Sequence, residues 1–128
     1  EISVGYCTLY GDTCGGLAVI NDLYKTEVYR LSYWINEYFK KPVIPISTLT
    51  KAPSAELRPN QKDQDSLPPY EVLDAILKLH IEEGKAKNEI VLTGFDSTVV
   101  DRVISLFNKN KYKQLQMPPG LSVRHLLY

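Results

Sequence analysis

At 128 residues, 44% of them apolar, the chain is long enough to bury one modest core and too short for several domains. Its 15 basic residues balance 15 acidic ones, so no surplus positive charge draws it to nucleic acid or to an anionic membrane. No apolar run approaches the roughly 20 residues of a membrane-spanning helix and no leader pattern opens the chain, so a soluble, cytoplasmic protein is expected.

The chain opens on Glu1 rather than methionine, which reads as an internal start, and passes quickly into Gly5, Gly11, Gly15 and Gly16. This glycine-rich opening predicts loop with one short strand. Cys7 and Cys14 form no Cys-x-x-Cys step and have no histidine near them in sequence, so two reduced thiols are expected rather than a zinc centre. Between Leu23 and Lys41 the apolar residues Tyr24, Val28, Leu31, Ile35, Tyr38 and Phe39 recur at helical spacing, opposite Glu27, Arg30, Glu37 and Lys40. That helix must end by Lys41, because Pro42 lacks an amide hydrogen and disfavours helical angles in its predecessor.

From Pro42 to Pro69 the chain is punctuated by proline and carries the polar run Arg58, Asn60, Gln61, Lys62, Asp63, Gln64 and Asp65. Such a stretch makes no core of its own, and its length suits a lid or binding loop as well as a plain linker. A second helix is predicted to start at Pro68 or Pro69, to carry the stripe Leu73, Ile76, Leu77 and His80, and to stop at Gly84. His80, on that apolar stripe, reads as a hydrogen-bonded core residue. Ile90, Val91 and Leu92 suit either a short helix or a strand, whereas Asp96 caps a clear helix that turns Val99, Val100, Val103, Ile104 and Phe107 inward. Leu17 to Ile20 and Val43 to Ile46 are candidate strand material for a larger α/β sheet.

Four blocks, in fixed order, go beyond periodicity. They are Gly-Tyr-Cys-Thr-Leu-Tyr-Gly-Asp-Thr-Cys-Gly-Gly-Leu-Ala-Val-Ile at 5 to 20, Asp-Leu-Tyr-Lys-Thr at 22 to 26, Lys-Ala-Pro-Ser-Ala-Glu-Leu-Arg-Pro at 51 to 59, and Asn-Lys-Tyr-Lys with Met-Pro-Pro-Gly-Leu at 110 to 121. Together they resemble the NAD synthetases, especially the bacterial glutamine-dependent kind; residues 122 to 128 carry no part of the likeness. The resemblance implies an α/β fold, of which residues 1 to 128 form the C-terminal, mainly helical part of an adenine nucleotide alpha hydrolase-like (ATP pyrophosphatase) ligase domain. It also implies an ATP-driven ligation using Mg2+, in which the nicotinate carboxylate of deamido-NAD is adenylated and then amidated by ammonia, free or drawn from glutamine. Family members pair as homodimers. The family's Ser-Gly-Gly-x-Asp-Ser phosphate loop does not occur in this sequence, so the 128 residues alone are expected to be inactive.

The resemblance also assigns residues. Glu1 falls at a magnesium-binding glutamate, and a carboxylate suits that hard cation. Lys25 falls at an ATP-binding lysine in the first turn of a helix, where anions are already favoured. Ser54 replaces an ATP-binding threonine and keeps its hydroxyl. Leu9 and Gly16 stand where other members bind deamido-NAD through a lysine and an aspartate, and Tyr112 with Lys113 matches a deamido-NAD-binding histidine and lysine. Asp12, in a Gly-Asp turn, is a candidate carboxylate for binding ammonium or accepting its proton. From the residues alone Lys25 is an ordinary surface lysine, Ser54 and Asp12 are turn formers, and Lys109, Lys111 and Lys113 are a solvated basic end. Two alternatives keep their place: a noncatalytic helical interaction module, and a different amide ligase of the ATP pyrophosphatase type.

Overall fold

The computed structural model describes residues 1–56 and 58–123; Leu57 of the third block and all but the first two residues of the 122–128 tail lie outside the described residues. The helices, in chain order, are α1 (Lys25–Tyr38), α2 (Ile46–Thr50), α3 (Tyr70–Ile81), α4 (Lys87–Leu92), α5 (Ser97–Lys109) and α6 (Lys111–Gln114). Two 3-10 turns, Ile2–Val4 and Asp63–Asp65, complete the regular structure among the described residues.

The helices α1, α4 and α5 begin where a side chain takes up an amide that lacks an intrahelical partner. Asp96 accepts from the Thr98 amide at 2.9 Å and the Val99 amide at 3.1 Å, the cap expected from sequence. Glu27 reaches back to the Tyr24 amide at 2.9 Å and Glu89 to the Ala86 amide at 2.7 Å. The second of these bonds favours helix over strand for the Ile90–Leu92 cluster. Pro69 precedes the first residue of α3, and beyond its last turn Gly84, at φ 63°, lets the Lys85 amide return to the Leu79 carbonyl at 3.0 Å. His80 contacts the Lys85 carbonyl through Nδ1 at 3.0 Å and meets the Phe107 ring edge-on, as a core histidine does.

The core lies where α3, α4 and α5 meet. Leu73, Ile76, Leu77, Ile90, Val100 and Val103 are buried there, and Val4 from the first 3-10 turn closes one side. Burying each such side chain is worth about 1.5–3 kcal/mol, which is why these three amphipathic segments organise the rest. By contrast α1 buries no residue, and Trp34, Tyr38 and Phe39 stack or meet edge-on at its exposed far end. Its near end is tied to α3, where the buried Asp74 accepts from the Thr26 amide at 2.8 Å.

The expected strands are largely absent among the described residues. Of Leu17 to Ile20 only Ala18 pairs, in a single parallel bridge to Gly120. Val43 to Ile46 does not pair with a strand: the Asn36 amide satisfies both main-chain groups of Ile44 at 2.8 Å, Pro42 and Pro45 offer no donor, and Ile46 opens α2. The described part is thus mainly helical. Both cysteines are free thiols, and no helix among the described residues is long and apolar enough to cross a membrane.

Candidate functional site

Lys25 is the first residue of α1, and its position follows from what holds that end of the helix. Asp74 fixes the amide next to it, while the opening residues curl so that the Glu1 carbonyl accepts from Val4 and Tyr6. Glu1 thereby meets Lys25, with Oε1 2.7 Å from Nζ. The ammonium also sits 5.8 Å from the Tyr29 ring centre and 5.7 Å from that of Tyr70, a favourable placement over two π faces. Glu1, Lys25 and Ser54 line one cleft of about 280 Å³, together with Thr48 and Lys51. Lys25 and Ser54, from two separate sequence blocks, therefore converge with Glu1, which precedes the first block. Ser54 Oγ accepts from the Glu56 amide at 3.1 Å, and the Lys51–Glu56 ion pair lies at the rim, holding the Glu56 carboxyl below its usual range.

A second cleft of about 780 Å³ shares Glu1 and Ser54 with the first and is lined by Cys7, Leu9, Asp12, Asp63 and Lys113. Asp12 closes its own turn by accepting from the Thr8 amide at 2.7 Å. Lys113 donates to the carbonyls of Gly5 and Cys7, both at 2.7 Å, which occupies two of its three N–H groups. Burial pushes the Cys7 thiol up, against the opposing pull of the Lys113 charge. Gly16 and Tyr112 are exposed and line neither cleft.

Sequence reading missed the pairing of the Asp63 carboxylate with the Tyr70 phenol, of which Asp63 lines the second cleft. Asp63, 2% exposed, accepts from the Tyr70 hydroxyl at 2.5 Å through Oδ2, while its Oδ1 is buried with no hydrogen-bond partner among the described residues. Burial first, and then this bond, push the Tyr70 phenol well above its ordinary value, so the ring over which Lys25 lies stays uncharged. Among the described residues no group of three histidines, cysteines or carboxylates is arranged to hold a metal ion. Magnesium bound through phosphates needs only one or two protein carboxylates, so Glu1, a single hard donor beside a lysine, fits a shared site rather than a protein cage.

Comparison with known proteins places the sequence in a family. The family model described as NAD synthase matches residues 1–118. The glutamine-dependent NAD+ synthetase of Acinetobacter baylyi is 54% identical over 126 residues, covering 97% of this chain and 23% of the relative. That of Thermotoga maritima is 51% identical over 123 residues, covering 96% and 21%. A solved structure of glutamine-dependent NAD+ synthetase from Acinetobacter baumannii in complex with ADP is 46% identical and covers 91% of this chain and 19% of that one, with a TM-score of 0.40. The chain thus spans about a fifth to a quarter of the length of the curated relatives it matches. With nearly all of its residues inside the family model, the chain belongs to the NAD synthase family.

Proposed function

We propose that these 128 residues are the C-terminal part of the ligase domain of a glutamine-dependent NAD+ synthetase, built on an ATP pyrophosphatase-type α/β fold and working in the cytoplasm as a homodimer. The observation that carries the reading is the convergence of Glu1, Lys25 and Ser54 on one cleft. In the reaction a carboxylate oxygen of deamido-NAD attacks the α-phosphorus of ATP. The bond to the β-phosphate oxygen breaks, pyrophosphate leaves and an acyl-adenylate remains. Ammonia then adds to the acyl carbon, AMP departs with the bonding pair, and loss of a proton from nitrogen gives the amide. Lys25 and Ser54 serve the ATP phosphates by charge and hydroxyl donation, against negative charge that grows during the first step. Glu1 would hold Mg2+, which when bound supplies charge neutralisation at the phosphates.

On the deamido-NAD side Lys113 offers its remaining N–H and its charge, Leu9 an apolar wall, and Gly16 and Tyr112 contacts made by backbone and ring. Asp12 is assigned to ammonium. The test uses the full-length protein with ATP, deamido-NAD and ammonium, and follows NAD by chromatography. Formation of NAD with AMP and pyrophosphate in equal amounts is expected, and its absence refutes the reading. In the same assay, ammonia-dependent turnover that is unchanged in Asp12→Asn removes Asp12 from the mechanism. The 128-residue chain alone, whose sequence contains no Ser-Gly-Gly-x-Asp-Ser loop, is expected to form no NAD.

A further inference from the structure

The corner between α5 and α6 grips the opening segment by its main chain. Asn110 donates Nδ2 to the Val4 carbonyl at 3.0 Å and to the Leu106 carbonyl at 2.8 Å. Gln114, one helical turn further on, donates Nε2 to the Ser3 carbonyl at 3.0 Å. With Lys113 on the carbonyls of Gly5 and Cys7, three neighbouring side chains hold four main-chain acceptors that lie more than 100 residues away in sequence. These carbonyls have little alternative, because the segment forms only a single 3-10 turn.

Gly5 shows how closely the two parts fit. It stands at φ 74°, and a Cβ there would fall 2.0 Å from Asn110 Cγ and 2.1 Å from Oδ1. The Asn110 amide is tethered at once to Val4 and Leu106, so it cannot withdraw without losing both bonds. The grip also transmits to the site. Glu1 is joined to the gripped turn by its own carbonyl, which accepts from Val4 at 3.2 Å and Tyr6 at 3.0 Å, and its side chain ends on Lys25. Any shift of Val4 and Gly5 therefore moves Glu1 against Lys25.

We propose that Asn110 and Gln114 are positioning residues, which act through the main chain of residues 3–5 to set Glu1 against Lys25. What the positioned pair then does rests on the reading given above; the grip itself does not. Both variants are made in the full-length protein. Asn110→Asp keeps the shape but removes the donor and turns a carboxylate towards two carbonyls. Gln114→Met removes one donor at nearly constant volume.

Loss of a bond of this kind predicts amide exchange about tenfold faster at residues 4–6, with exchange in the core of α5 unchanged. It also predicts a KM for ATP raised about tenfold in Asn110→Asp, and raised less in Gln114→Met. A purely structural role would lower the melting temperature and leave the KM of the folded enzyme where it was. That outcome, or wild-type exchange at residues 4–6 in both variants, overturns the proposal. If Asn110→Asp does not fold, Gln114→Met decides by the same two readouts. If the wild-type protein makes no NAD, the ligase reading falls, and exchange at residues 4–6 alone judges the grip.

Discussion

Replacing Asp74 by alanine removes the acceptor for the Thr26 amide, one of the orphan donors at the start of α1. Asp74 is only 8% exposed, so water substitutes for it poorly. A hydrogen bond to a charged acceptor contributes about 1.5–3 kcal/mol, and a carboxylate at a helix amino terminus adds about 0.3–1 kcal/mol through the dipole. A loss of about 2 kcal/mol is the lower end of their sum. Nothing along the rest of α1 offsets it, because no residue of that helix is buried. Unfolding entropy of about 2.1 cal/mol/K per residue gives roughly 0.27 kcal/mol/K for a cooperative unit of 128 residues, hence a melting temperature lowered by about 7 °C. Asp74→Asn retains an oxygen acceptor and loses the charge, so its decrease should be smaller than that of the alanine variant. Scanning calorimetry gives the shift, and amide exchange in the first turn of α1 assigns it to the helix. An alanine variant that melts within about 1 °C of wild type with unchanged exchange there would refute the cap.

Three further outcomes follow from the same contacts. The raised phenol of Tyr70, pushed up by burial and by Asp63, means that the native state keeps a proton the unfolded chain releases above about pH 10. Its contribution is therefore intact below that pH and is lost as pH rises, so Tyr70→Phe should flatten the alkaline limb of stability; parallel limbs in denaturant titrations would contradict this. Asp96 is held below the usual carboxylate range by the Thr98 hydroxyl and the Val99 amide, so its contribution is present above about pH 3.9 and fades as pH falls further. Asp96→Ala should accordingly melt below wild type near neutrality, with the gap closing in acid; a gap independent of pH would be the wrong result. In the full-length protein Lys25→Met should raise the KM for ATP at least about tenfold, the loss of one charge-assisted contact, and an unchanged value would remove Lys25 from the ATP site.

The long helices were legible because their apolar residues recur at a fixed period and their ends carry recognisable stops. Pro42, Gly84 and Asp96 did the stopping and starting, and α1 came out only a few residues shorter than its pattern. Short apolar runs were not legible in the same way. Val43 to Ile46 reads identically whether its backbone pairs with a strand or with a side chain, and the choice was made by Asn36, through a tertiary contact. The family resemblance named Glu1, Lys25 and Ser54, yet nothing in their spacing brings them to one cleft. Asp74 was visible in principle, as a carboxylate within the buried stripe of α3, a polar residue where the period calls for an apolar one. Asp63 was hidden, because in a run of polar residues no local signal marks the one that folding buries.

If Lys25 serves phosphate as proposed, it has to be held in place without being permanently neutralised, and its surroundings meet that condition. Its partner Glu1 is 44% exposed, and an ion pair so open to solvent contributes at most about 1 kcal/mol. Two ring faces add about 0.5–1 kcal/mol each while leaving the charge intact, provided that the rings stay neutral. Tyr70 does stay neutral, because burial and Asp63 keep its proton in place. On the proposed reading an incoming phosphate forms a charge-assisted bond worth about 1.5–3 kcal/mol and so displaces Glu1 from Lys25. The displaced carboxylate is then left beside the phosphate it has yielded to, where a magnesium ligand is required. On that reading the Glu1–Lys25 contact is a resting pair that the first substrate would separate, and its weakness would be a condition of the site rather than a flaw in it.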